Sequence, residues 1–141
     1  MSIPFRDSVR VEPLLSDSVV VKTTIPQYSA VKLDGDGFAV LATAEDEAVG
    51  ITQYGVSNPD PDNGEAVAIT ILGLTPVRVN ADSENIDKYD RLECAANGLF
   101  QKQSADGGVS QATAQIASDA DGDQILAFVD FVNPPAAALP A

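Results

Sequence analysis

Short apolar runs recur roughly every ten residues along this chain, separated by Gly, Pro, Asn and Asp. Such spacing predicts the strands of a sandwich or barrel. Val19-Val20-Val21-Lys22-Thr23 is rich in β-branched residues and is stopped by Pro26. Val31-Lys32-Leu33 and Phe38-Ala39-Val40-Leu41 flank Asp34-Gly35-Asp36-Gly37, the clearest hairpin, since glycine supplies the positive φ of a tight reversal. In Ala66–Ile71 the side chains of Val67, Ile69 and Ile71 alternate with Ala66, Ala68 and Thr70, as a strand's period of two requires. The second face is small instead of charged, which predicts cover on both sides. Val77-Arg78-Val79 repeats the alternation as a further strand, and Thr113–Ala117 is read as another. Residues 125–132 are apolar on both faces apart from Asp130, the pattern of a central strand, and Pro134 and Pro135 end it. Helical periodicity is weak throughout.

The expected fold is therefore all-β: a single small barrel or sandwich-like domain over residues 19–133. An extended N-terminal arm (1–18) precedes it, and a Pro/Ala-rich tail (134–141) follows. At 141 residues the chain suits one domain. No apolar run is long enough for a membrane-spanning helix, and the N-terminus lacks a secretory layout, so synthesis and assembly in a cytoplasm are expected.

Charge sharpens this picture. The net charge is −13, which argues against nucleic acid as a partner, because phosphate binding needs Lys and Arg. Residues 1–32 hold four of the eight basic residues (Arg6, Arg10, Lys22, Lys32) against three acids, whereas the rest of the chain sets four against 18. An acidic body with a near-neutral, partly apolar leading segment suits a protein that docks by one end. Ile3 and Phe5 are candidate apolar contacts there, and Arg6 and Arg10 candidate partners for acidic groups; the other reading of the segment is a first strand.

Little of the usual chemical equipment is present. With no histidine, the commonest general base and metal ligand is missing. Gly108-Val109-Ser110-Gln111-Ala112 only loosely echoes a nucleophile elbow, and no imidazole exists to activate Ser110. The single cysteine, Cys94, cannot form an intrachain disulfide and reads as a small buried thiol. A carboxylate-pair hydrolase remains formally open among 21 acids, without a Trp platform for a sugar. Three acidic loops invite a calcium reading: Asp34-Gly35-Asp36, Asp60–Glu65 and Asp119–Asp123. The last lacks the Gly and closing Glu of a calcium loop, and Asp-Gly pairs are ordinary turn formers. No catalytic residue, cofactor or metal is therefore assigned, and no enzymatic activity is expected.

From about Ala30 to Val132 the order of segments resembles the capsid cement, or head decoration, proteins of tailed bacteriophages. The likeness is carried by Val31–Gly37 with Ala39–Ala42, by Ala48-Val49-Gly50-Ile51, by Asn63–Ile69 with Leu72-Gly73, by Ile86–Leu92, by Asn97-Gly98 and by Asp121–Ile125. Tyr89 stands where that family usually has glycine. The resemblance implies a structural virion protein on the outer capsid surface. It would bridge subunits of the major capsid protein as a homotrimer at three-fold positions and stabilise the shell, without cofactor or catalysis. The alternative is a carbohydrate-binding or adhesion module of a head fibre or tail accessory protein.

Overall fold

The computed structural model describes residues 12–44, 46–81, 84–104, 108–118 and 123–132. Residues 1–11, with Ile3, Phe5, Arg6 and Arg10, lie outside the described residues, as does the tail from 133 onward. The fold is all-β. Among the described residues nine strands follow in order: β1 (Glu12–Val21), β2 (Ala30–Leu33), β3 (Ala39–Leu41), β4 (Gly50–Thr52), β5 (Glu65–Arg78), β6 (Arg91–Cys94), β7 (Phe100–Lys102), β8 (Ala112–Ala114) and β9 (Gln124–Asp130).

The pairing closes on itself twice. β1 pairs with β3 in parallel at Val21–Ala39, β3 with β2, β2 with β4, β4 with β5, and β5 returns to β1. β5 also begins a second ring through β9, β8, β6 and β7, which closes at a parallel bridge between Val79 and Phe100. Of the two architectures left open by the sequence, barrel closure is the one observed, and it occurs twice around a shared β5.

The two rings are copies of one plan. Each has an antiparallel bridge before its first hairpin, Ile25–Val56 in one and Ile86–Ser118 in the other. Each then turns through a tyrosine in the left-handed region, Tyr28 (φ 61) and Tyr89 (φ 72). The Tyr28 amide donates to Thr52 O at 2.8 Å, and the Tyr89 amide donates to Ala114 O at 2.7 Å. Gly37 (φ 87) and Gly98 (φ 75) close the hairpin turns at matching places. Gln53 donates its amide to Ala68 O, and Gln115 donates to Leu126 O in the same way.

Two cores result. Val21, Ile25, Val31, Val56, Val67 and Ile69 fill the first barrel. Val77, Val79, Ile86, Leu92, Phe100 and Ile125 centre the second, which also takes in Ala30, Ala42, Ala48 and Ile51, so the units are packed together.

Several sequence expectations change here. β1 covers Glu12–Val21, so residues 12–18, read as arm, are paired with β5. The run 66–71 and Val77-Arg78 of the run 77–79, read as separate strands, belong to one fourteen-residue strand that passes through Gly73 (φ 130) instead of ending there, and Val79 follows it as an isolated bridge. Each half of β5 serves its own barrel, so ending it at Gly73 would open one ring. β8 covers Ala112–Ala114 rather than reaching Ala117, because Gln115 already leaves it to meet Leu126. The 31–41 hairpin stands as expected.

Candidate docking face

The most unusual surface lies where the two units share β5. Leu74 pairs directly with Phe128, and Phe128 with Thr113, so these side chains share the outer face. Leu72, Leu126 and Gln115 continue it, half-exposed. On the other edge of β5, β1 carries a bulge: Pro13 pairs with Gly73 and Leu15 with Leu72, leaving Leu14 without a partner residue. Bulges re-aim side chains, and Leu14 is 71% exposed beside a shallow depression lined by Gly73, Leu74, Gln115 and Phe128. Leu15 is 45% and Phe128 37% exposed. A continuous apolar face of this kind marks contact surfaces far more often than isolated exposed leucines do.

The duplicated plan supplies an internal comparison. At the corresponding place in the first unit, Ser16, Ala68 and Thr70 stand where the second has Leu74, Leu126 and Phe128. The barrel plan itself therefore does not demand apolar residues there. In the first unit the same place is an open groove of about 410 Å³, lined by Ser16, Gln27, Tyr28, Gln53, Tyr54 and Thr70 among others. Tyr54 is 65% exposed on its rim.

The acidic loops resolve as turns where they are described. Asp34 Oδ1 accepts the amides of Asp36 (2.9 Å) and Phe38 (3.0 Å). Asp60 Oδ1 accepts those of Asp62 (2.8 Å) and Asn63 (3.3 Å), bonds that hold its carboxyl below the usual range. Residues 119–122 of the third loop lie outside the described residues. Among the described residues no His/Cys/Asp/Glu group is arranged to hold a metal ion. Ser110 is buried and donates its hydroxyl to Ala112 O at 3.2 Å. Glu93, also buried, accepts hydrogen bonds from Gln101 Nε2 and the Gly108 amide, fastening the end of the 103–108 connection. Cys94 is fully buried, and burial pushes its thiol up to about 12, which leaves it protonated and unreactive.

Of the candidate contacts named from sequence, Ile3, Phe5, Arg6 and Arg10 all precede the described chain, which begins beside Leu74. The apolar face itself was not anticipated. Leu74 and Phe128 sit in runs apolar on both sides, where periodicity cannot say which side is covered. The repeat did leave a trace: Ile25 and Ile86, Tyr28 and Tyr89, and Gly37 and Gly98 all recur at one spacing.

No family model matches the chain, and no curated protein does. Among solved structures, the N base of the head fibre gp8.5 of bacteriophage phi29 is similar in fold. Its TM-score is 0.60 over 83% of this chain and 94% of that one, at 12% sequence identity. The neighbour comes from a phage head, though it is a fibre base and not a decoration protein; at this identity the likeness is one of fold.

Proposed function

We propose that this chain is a structural protein of a tailed-phage head, attached to the outside of the shell and stabilising it by bridging major capsid subunits. The observation that carries the reading is the fold shared with nearly all of a head-fibre base. The order of turns that resembles decoration proteins supports it independently. The face of Leu14, Leu74 and Phe128 is the attachment surface in this reading. Covering a largely exposed leucine contributes on the order of 1–2 kcal/mol, and several such side chains together suffice for specific docking. A protein that binds the assembled shell but not dissociated subunits stabilises the shell by mass action. Three copies around a three-fold position remain part of the proposal.

The test is direct. Purified protein is mixed with undecorated heads, which are sedimented and then heated. Co-sedimentation and a higher disruption temperature are expected, and Phe128→Asp is expected to lose both while keeping its β-rich circular dichroism. Heads that neither bind the protein nor gain heat resistance would refute the reading.

The groove of Tyr28, Tyr54, Gln27 and Gln53 favours a second reading, a carbohydrate-binding or adhesion module, since an aromatic rim above amides and hydroxyls suits a sugar. A glycan array distinguishes the two. A specific hit abolished by Tyr54→Ala would favour the adhesion reading.

A further inference from the structure

Among the described residues, β1 is paired along one edge for most of its length. β5 lies against it from Glu12 to Val21, but on its other edge no strand lies among the described residues until Val21 meets Ala39. The duplicated plan shows what such an edge holds when it is filled. The second unit's counterpart of β1 is the latter part of β5, as their matching parallel bridges at Val21 and Val79 show. Val21 and Val79 are 58 positions apart, and this offset sets Leu14–Ser16 against Leu72–Leu74. In the second unit that stretch carries an antiparallel strand on its outer edge, namely Glu12–Leu15 of β1 itself. Among the described residues, the chain thus fills this edge in one unit and leaves it open in the other.

The backbone of the open edge points the same way. Ala68 O accepts from Gln53 on the β4 side, so the odd-numbered residues Val67 and Ile69 bond towards β1 and their partners Val19 and Asp17 bond back. Ser16 and Ser18 consequently direct their amides outward. The ends of this window are guarded in the manner of natural edge strands. Pro13 has no N–H to offer, and the Ser18 amide is taken by the Asp17 carboxylate at 2.8 Å. Between them lies a short acceptor flanked by the exposed Leu14 and Leu15.

We infer that the edge of β1 at Leu14–Ser16 accepts a short extended strand from the shell protein, running antiparallel to β1. The inference rests on the head-attachment reading above. Main-chain hydrogen bonds to Ser16 hold such a strand, and its alternate side chains provide selectivity. Those side chains are apolar where they meet Leu14 and Leu15, and a lysine or arginine faces Asp17, as suits a body of net charge −13. The incoming strand occupies the place that Glu12–Leu15 takes beside β5.

Ser16→Pro tests this, because it removes the outward amide without touching a bond to β5, and proline is tolerated on such an edge. Loss of that bond is expected to weaken binding to undecorated heads about tenfold, with melting temperature and circular dichroism unchanged. Hydrogen exchange on the wild-type protein gives a readout that needs no variant: the outward amide of Ser16 exchanges quickly when free and is protected on heads. If the wild type binds heads while Ser16→Pro binds within twofold of it, or while the Ser16 amide stays unprotected, the strand inference is overturned and head attachment stands. A wild type that does not bind heads overturns both.

Discussion

Gln111 joins the two units through one side chain. Its Oε1 accepts the Ala48 amide and its Nε2 donates to the Ala48 carbonyl, both at 2.8 Å and both buried. Gln111→Leu strands two buried backbone groups, so a loss of about 2–4 kcal/mol is expected in denaturant unfolding. Asp46 works by charge. Lys32 Nζ lies 2.8 Å from its Oδ2, which also accepts from the Thr43 amide and hydroxyl, and these partners lower its carboxyl from 3.8 to about 2. A depressed carboxylate pKa adds stability that is complete above the unfolded value and vanishes as pH falls through the folded one. Wild-type stability should therefore decline between about pH 4 and about 2 by an amount that Asp46→Asn does not lose, as parallel acid titrations would reveal. Cys94 offers a simpler check. With its thiol held near 12, a thiol reagent at pH 8 should label it only after denaturant is added.

Among the elements, β5 carries the architecture. Arg78 donates its amide to Tyr28 O on the edge facing β1, and Pro76, two residues earlier on that edge, has no amide to give. Among the described residues pairing with β1 reaches Leu74, and Leu14 and Leu15 lie exposed beside it. The turn containing Gly98 is the second critical element. Its amide donates to Ala42 O at 2.9 Å, and a Cβ there would lie 2.8 Å from Leu41 Cδ2 and 3.1 Å from Ala30 O. At φ 75 a side chain also meets its own backbone. Gly98→Ala is expected to lower stability by about 1–3 kcal/mol, measured by thermal melting against Gly35→Ala, where the added methyl meets nothing. The tyrosines show the same conformation tolerated at a cost, Tyr28 at φ 61 and Tyr89 at φ 72.

At the scale of the molecule, sharing one strand makes the two barrels interdependent. Neither ring closes without β5, and the second core draws Ala30, Ala42, Ala48 and Ile51 from the first unit. Unfolding should therefore be a single transition, with circular dichroism and tyrosine fluorescence coinciding. Either unit expressed without the other half of β5 should remain unfolded by the same measures. The uncharged face of Leu74 and Phe128 also gains meaning at this scale. On a protein of net charge −13, it is a surface that another molecule can approach without meeting the acidic body.

Local chemistry was enough to reveal the all-β class, the 31–41 hairpin, the burial of Cys94 and a strand read over 125–132 that is observed as Gln124–Asp130, because period-two patterning and turn residues act over a few positions. Double closure, continuity of β5 through Gly73 and the exposure of Leu14, Leu74 and Phe128 arise from partners far apart in the chain. A strand apolar on both sides fits either a fully enclosed position or a half-covered one, and only the assembled neighbours select between them. The repeat stayed hidden for a related reason. A barrel asks its strands merely to be apolar on the inside, so few identities survive outside the turns, where backbone geometry restricts the choice of residue.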